Sequence, residues 1–241
     1  MKNNIVCILP IRKGSKRVVN KNTRKFGMFE VGLSEIKIRQ ILQSKFITTL
    51  LLSTDDENVV DLAHKLFQDS SSSIKLKIDK RPKEFAGDIN TDELIKYFAT
   101  ILTDFDNEIL LWTHATSPFI DGAMYDDLLT QYKESIFQGY DSLMTVESLQ
   151  GFIWNEAGPI NSDGLTRWPR TQSITPFFHL DSGAFIIDTK LFVEKCDRVG
   201  VRPKKIVLVN PHCIDIDEAS DFSFAEKIHA LYIDENGKLI Q

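Results

Sequence analysis

The segment Ile5-Val6-Cys7-Ile8-Leu9-Pro10-Ile11-Arg12-Lys13-Gly14-Ser15-Lys16-Arg17-Val18-Val19-Asn20-Lys21-Asn22 joins a continuous apolar run to a basic loop. A run without polar alternation, ended by proline, reads as a strand buried on both faces, as in parallel sheets. Between Arg12 and Lys25 stand seven Lys or Arg residues and no acidic one. A basic loop at the C-terminal edge of such a strand is where open α/β sheets bind ligands. Gly14 lets the backbone approach a phosphate closely, and Ser15 adds a hydroxyl donor. Lys16 and Lys21 supply point charges and Arg12 a planar fork. A charge run alone is more often a solvated loop; the Gly-Ser pair after a buried strand favours an anion site. The spacing is not that of a Walker loop, which needs GxxxxGK[ST].

Outward from this segment, short apolar runs alternate with helical spacing. Strands are predicted over Ile5–Pro10, Thr49–Ser53, Ile74–Ile78, Ile109–Trp112, Leu143–Val146, Gly183–Ile187 and Ile206–Val209. Helices are predicted over Ser34–Ser44, Asp56–Phe67, from Thr91 to about Leu102 and from Asp121 to about Lys133. Thr91 and Asp121 are read as N-caps. A last helix is expected to begin at Asp217, with Phe222, Ala225, Ile228 and Leu231 facing inward. This alternation implies an α/β fold with a mostly parallel sheet and helices on both faces. Gln150–Pro176 breaks the pattern, with Gly, Pro, Trp and Asn and no core period. Such a length of irregular chain in a compact domain is usually functional, so 150–176 is expected to be a lid, a subunit contact or both.

The 241 residues suit one domain, here 1–241, and 42% apolar with 26% charged residues is ordinary for a globular protein. Lys and Arg total 29 against 34 Asp and Glu, a net charge of -5, which argues against a general nucleic-acid binder. An anionic ligand must therefore be held by a local basic cluster. Three widely spaced cysteines, with no CxxC pair, point to a reducing compartment; cytoplasm is expected. No apolar run is long enough for a signal peptide or a membrane span, so no membrane role is expected.

Ile214-Asp215-Ile216-Asp217 is the second informative element. In extended chain the isoleucines point one way and the carboxylates the other. Adjacent carboxylates repel unless a cation lies between them, and Mg²⁺ fits two hard oxygen ligands. The plainer alternative is that Asp217 caps the following helix while Asp215 is solvated. Three further elements are weaker alone: Arg81-Pro82 with Glu84, Phe85 and Asp88; His114-Ala115-Thr116-Ser117-Pro118 after a buried strand; and His179 with Asp181-Ser182-Gly183. No GxSxG elbow is present, which argues against a serine-hydrolase triad.

Together these motifs resemble the acylneuraminate (CMP-sialic acid) cytidylyltransferases and their nonulosonic-acid relatives. Arg12-x-Gly14-Ser15-Lys16 with Lys21-Asn22 is similar to that family's first signature, and Arg81-Pro82-x-Glu84 with Asp88 to its second. Thr116-Ser117-Pro118 resembles its glutamine-proline-threonine-serine-proline motif, and Asp215-Ile216-Asp217 with Asp221 its metal motif. The resemblance implies a Rossmann-like domain, a dimerising insertion and transfer of CMP from CTP to a sugar acid. It implies nucleotide contacts from Arg12, Gly14, Ser15, Lys16, Lys21, Asn22 and Arg81, and Mg²⁺ on Asp215 and Asp217. Arg12, Lys21, Asp215 and Asp217 would then carry catalysis, while His114, Thr116, Ser117 and Asp181 would meet the sugar.

The departures fall on the sugar side. His114 replaces the family's glutamine, Ile120 an arginine, and Glu30-Val31-Gly32-Leu33 a proline-leucine segment. Asp181-Ser182-Gly183, where sialate enzymes carry asparagine-glycine, is more similar to the pseudaminic-type relatives. Three alternatives remain open from sequence: a CMP-Kdo-type or other sugar nucleotidyltransferase, a glycosyltransferase using Asp215-x-Asp217 for a nucleotide sugar, and a non-catalytic nucleotide-binding protein.

Overall fold

A computed structural model describes residues 4–87, 89–161 and 166–240. Strand β1 (Ile5–Ile11) lies inside a seven-stranded sheet. Ile5, Cys7, Leu9 and Ile11 enter one apolar layer, while Val6 and Ile8 enter the other. This is the period-two division of a strand covered on both faces.

The remaining strands are β2 (Thr49–Thr54), β3 (Lys75–Lys80), β4 (Ile109–Trp112), β5 (Ser142–Leu149), the short pair β6 (Trp154–Asn155) and β7 (Gly158–Pro159), β8 (Phe177–Asp188) and β9 (Pro203–Leu208). The main sheet has the order β3-β2-β1-β4-β8-β5-β9. β1 pairs in parallel with β2 and β4, β2 with β3, and β5 with β9. β8 runs antiparallel to both β4 and β5. The mostly parallel expectation therefore holds, with β8 as the one reversed strand.

The helices are α1 (Gly32–Leu42), α2 (Glu57–Asp69), α3 (Lys83–Ala86), α4 (Thr91–Ile101), α5 (Gly122–Phe137), α6 (Thr189–Lys195) and α7 (Ala219–Tyr232). The inner faces of α1, α2, α5 and α7 cover one side of the sheet, and those of α4 and α6 the other. Asp56 and Asp121 cap α2 and α5 through bonds from Asn58 N and Met124 N. Two sequence expectations need correction at helix starts. Asn90, not Thr91, caps α4: its side chain accepts from Glu93 N, and Glu93 answers to Asn90 N. Glu218, not Asp217, is the N-cap residue of α7, and Asp221 Oδ2 accepts from both Glu218 N and Asp217 N.

The buried stripe of α7 also differs from expectation. Phe222 and Ala225 are buried and Ile228 packs on the core, but Leu231 is 70% exposed and His229 is buried instead. A 3.6-residue period carries the inner face from 222 and 225 to 229 rather than to 231. His229 packs against Phe26, ring centroids 5.3 Å apart. In 150–176, the described chain forms the β6–β7 hairpin and a 3-10 turn over Thr171–Ser173. β8 begins at Phe177, well before the predicted Gly183, because Phe177–Leu180 pair with Leu149–Val146 beyond a bulge in β5.

Candidate active site

One cavity of about 480 Å³ gathers the sequence motifs at the C-terminal ends of β1, β3 and β4. Arg12, Ser15, Lys16, Lys21, Asn22, Arg81, His114, Thr116, Asp215 and Asp217 all line it. A larger groove of about 1350 Å³ between α1 and α2 holds none of these residues, so size does not locate the chemistry.

The basic loop is held in shape by its own polar groups. Gly14 has φ +72°, a backbone setting that a side chain would strain. Lys13 N donates to Asp55 Oδ1 at 2.7 Å, tying the loop to the β2–α2 turn. Lys21 N donates to Ser15 Oγ at 3.0 Å, and Asn22 Nδ2 to the Arg12 carbonyl at 3.4 Å. The Ser15 hydroxyl hydrogen is thereby turned away from the loop backbone and can serve a ligand. Gly14 does not itself line the cavity; it shapes the turn beneath.

Opposite this loop stands the Asp215-Ile216-Asp217 segment. Ile216 is fully buried, and its N–H donates to the Thr116 carbonyl at 2.9 Å. Ile214 is half-buried and packs on the same core. Their anchoring turns both carboxylates to the cavity, as alternation in extended chain requires, but into unlike surroundings. Asp217 is exposed at the rim and faces Lys21 Nζ at 3.3 Å and Arg17 at 3.4 Å. Asp215 is largely buried, and among the described residues its Oδ1 has no hydrogen-bond partner. Burial raises the Asp215 carboxyl above its usual range; the hydroxyls of Thr116 and Ser182 and the charge of Lys21 oppose this, and Asp217 adds to it. A buried carboxylate oxygen with no donor, beside a second carboxylate, is a donor set that a divalent cation completes.

Arg81 is fixed from behind. Its Nε donates to Ser53 Oγ at 3.1 Å and its Nη2 to the Ser53 carbonyl at 2.7 Å. Ser53 Oγ in turn donates to Asp79 Oδ2, whose other oxygen accepts from Tyr97. Phe85 stacks on Tyr97 at 4.6 Å, while Asp88 lies outside the described residues.

The sugar-side candidates divide. His114 and Thr116 reach the cavity; Ser117 and Asp181 are buried behind it. Asp181 Oδ1 accepts from Thr145 Oγ1 and from Gly183 N at 2.9 Å, so this carboxylate braces the bend between β5 and β8. Gly183 fits this bend closely, since a Cβ would lie 2.3 Å from Cδ1 of buried Ile120, which would have to shift. Burial raises the Asp181 carboxyl as well. His179 does not pair with Asp181 as an acid and base; it lies exposed across the sheet from Glu147, 3.6 Å away. His114 Nε2 accepts from Trp112 Nε1 at 2.9 Å, which assigns the proton to Nδ1. Burial, then the charge of Arg198, pushes its pKa down to about 3. His114 is thus a neutral hydrogen-bonding group and a poor proton acceptor at neutral pH.

Arg17, Ser182 and Arg198 line the cavity with no site role assigned from sequence, as do Thr91 and Leu94. Ser182 carries φ +58°, uncommon for a non-glycine residue, and this turns its side chain to the cavity from within β8. The basic-cluster count contains Arg17, but no motif singles it out. Arg198 follows α6 with no local signal, and only the fold brings it to the site.

A family model for cytidylyltransferases matches residues 6–240. The chain is 27% identical over 242 residues to a pseudaminic acid cytidylyltransferase of Campylobacter jejuni subsp. jejuni serotype O:2, covering 95% of this chain and 97% of that one. It is 30% identical over 234 residues to an N-acylneuraminate cytidylyltransferase of Escherichia coli O18:K1:H7, covering 93% of this chain and 52% of that protein. In fold it is similar to a CMP:2-keto-3-deoxy-manno-octonic acid synthetase complexed with CTP, with a TM-score of 0.62 at 12% identity over 95% of this chain and 99% of that one. A 4-diphosphocytidyl-2C-methyl-D-erythritol synthase from Anaerococcus prevotii gives a TM-score of 0.61 at 13% identity, covering 95% and 97%. The Rossmann-like sheet, the gathered motifs and the match along nearly the whole chain agree, and the chain belongs to the cytidylyltransferase family.

Proposed function

We propose that this cytidylyltransferase moves CMP from CTP to the anomeric hydroxyl of a nonulosonic acid and releases pyrophosphate. The observation that carries the reading is the single cavity in which the basic loop faces Asp215 and Asp217. The long matches to the pseudaminic and N-acylneuraminate enzymes support the acceptor class. A glycosyltransferase reading of Asp215-x-Asp217 has no need of a basic loop at β1.

In this reading the acceptor hydroxyl oxygen attacks the α-phosphorus of CTP as the bond to the β-phosphate oxygen breaks; pyrophosphate leaves with that electron pair and the hydroxyl proton passes to solvent. The chain's task is to position and to neutralise charge. Arg12, Lys16 and Lys21 receive the β- and γ-phosphates, with Ser15 and Asn22 as neutral donors. Arg81, locked by Ser53, serves the nucleotide from the β3 side. Asp215 and Asp217 would hold a magnesium ion, which would supply charge neutralisation and Lewis-acid activation of a hydroxyl. Thr116 and Ser182 meet the acceptor with hydroxyls, and neutral His114 offers it its Nδ1–H. Ser117 and Asp181 act from behind the wall, holding that surface in place.

The direct test is calorimetry with CTP, ATP and GTP in Mg²⁺, followed by pyrophosphate release with pseudaminic acid, N-acetylneuraminic acid and Kdo. CTP is expected to bind at least about tenfold more tightly than the purine nucleotides, a margin of roughly 1.4 kcal/mol. Equal binding of all three would end the cytidylyltransferase assignment of this site. Release with Kdo alone would move the acceptor to the CMP-Kdo type.

We also infer a homodimer through the 150–176 segment. Phe152, Trp154 and Trp168 are 37%, 52% and 60% exposed, although Trp154 stacks on Trp168 and Phe152 meets it edge-on. Phe177, Phe178 and Leu180 at the start of β8 are also partly exposed. Contiguous aromatic surface of this kind is usually covered by a partner. Light scattering at micromolar concentration is expected to give about twice the 27.5 kDa chain mass. A strictly monomeric, fully active protein would leave 150–176 as a lid over its own site. Three free cysteines fit a reducing cytoplasm as the setting. Among the described residues no helix is long and apolar enough to cross a membrane.

A further inference from the structure

Arg198 is a largely buried cation with no carboxylate within ion-pair distance among the described residues. Its guanidinium lies 3.9 Å over the Phe185 ring and 5.4 Å from that of Trp112. Nη1 is 3.2 Å from His114 Nε2, a nitrogen already engaged by Trp112. The neighbouring Asp197 favours the charge through space without forming an ion pair with it, its Oδ1 accepting from Val199 N at 3.0 Å. Aromatic faces hold and orient a guanidinium but do not neutralise it. A charge held largely out of water with no ion-pair partner in contact is costly, and an anion arriving in the cavity would offset that cost.

The fold separates this cation from the others. Arg12, Lys16 and Lys21 extend from β1, and Arg81 follows β3, on one side of the sheet order. His114 and Thr116 follow β4, and Ser182 sits in β8, on the other side. Arg198 lines the cavity with this second group and feels the charge of Asp215 across it. In a nonulosonic acid the carboxylate is bonded to the carbon that carries the anomeric hydroxyl. To bring that hydroxyl to a nucleotide phosphate, the enzyme must offset a carboxylate approaching an anionic triphosphate. A planar fork fits a carboxylate with two parallel hydrogen bonds.

We propose that Arg198 grips the carboxylate of the sugar-acid acceptor, an inference that rests on the transferase reading above. The cation–π stack on Phe185 fixes the plane of the fork, and His114 limits its swing. Recognition of the acid is thus assigned to a residue outside every motif in the sequence.

The test compares wild type, Arg198→Lys and Arg198→Gln with pseudaminic acid or N-acetylneuraminic acid, whichever the wild type turns over, and with the carboxamide of the same sugar. Arg198→Gln is expected to raise the acceptor KM by about 30-fold or more, the loss typical of a buried charged hydrogen-bonding partner. Arg198→Lys should fall between it and wild type, and the KM for CTP should stay within about twofold. Wild type should prefer the acid to the carboxamide strongly, and Arg198→Gln should lose most of that preference. Calorimetric CTP binding and a melting temperature no lower than that of wild type establish that each variant is folded. The carboxamide comparison in wild type needs no variant at all; equal use of acid and amide would overturn the proposal. An unchanged acceptor KM in a folded Arg198→Gln would also overturn it, and a raised CTP KM alone would assign Arg198 to the nucleotide phosphates. Wild type that binds CTP yet turns over no sugar acid would instead remove the acceptor class, and this proposal with it.

Discussion

Asp215→Asn is expected to lower turnover about a thousandfold while leaving the melting temperature equal or higher. Three powers of ten correspond to roughly 4 kcal/mol of transition-state stabilisation, within what a bound metal ion contributes. The replacement keeps the shape of the side chain and removes the charge that holds the cation. Stability moves the other way because Asp215 is largely buried and its carboxyl is raised. Its folded-state pKa lies above the ordinary unfolded value, so the folded form favours the proton. That contribution to stability is present at acid pH and is lost as pH rises through the folded value. At neutral pH wild type therefore carries an unfavourable buried charge that Asn lacks. The two melting temperatures should converge as pH falls to the unfolded carboxyl range. Mg²⁺ with CTP should raise the melting temperature of wild type and leave that of the variant nearly unmoved. A variant with normal turnover, or one stabilised by Mg²⁺ and CTP as wild type is, would remove Asp215 from metal binding.

Lys21→Met is expected to cost about a hundredfold in kcat/KM for CTP, the scale of losing one pre-positioned donor to a developing charge. Lys21 is held at both ends. Its backbone N–H bonds Ser15 Oγ, while Nζ reaches the Ile216 carbonyl and Asp217 Oδ1. Its side chain is only 12% exposed, so the charge sits at a fixed point between the basic loop and the acidic segment. Met keeps the length and the apolar stem. The loss should appear as weaker CTP binding and slower turnover together, since one ammonium serves the phosphates before and during the reaction. Because the contact to Asp217 lies at an open rim, little stability should be lost with it. Turnover and CTP affinity within about threefold of wild type would show that Lys21 only ties the loop to the Ile216 carbonyl.

Much of this site can be read along the chain because its parts are local. Gly14 and Ser15 stand next to the strand that positions them, and the anchoring of Ile216 decides where its two neighbours point. Asp217 shows where local reading stops. As a carboxylate just before a helix it has the character of a cap, yet Glu218 takes the N-cap position and leaves Asp217 at the cavity rim. One residue of helix phase made the difference, and no intrinsic preference resolves helix starts that finely. Leu231 and His229 exchanged places for a related reason, because the exact face of α7 depends on what it packs against.

By itself the sequence determined the α/β class, the basic loop at the first strand, the paired carboxylates and the family resemblance. Each of these depends on neighbours within a few residues, where apolar period, backbone freedom and charge spacing act directly. The tertiary structure alone decided that β8 runs antiparallel between β4 and β5, and that Asp181 braces the bend from inside. It alone brought Arg198 over Phe185 to face the cavity, and left Asp215 with an oxygen that meets no donor among the described residues. Those outcomes depend on burial and on contacts between residues distant in the chain, which only packing of the whole sheet creates.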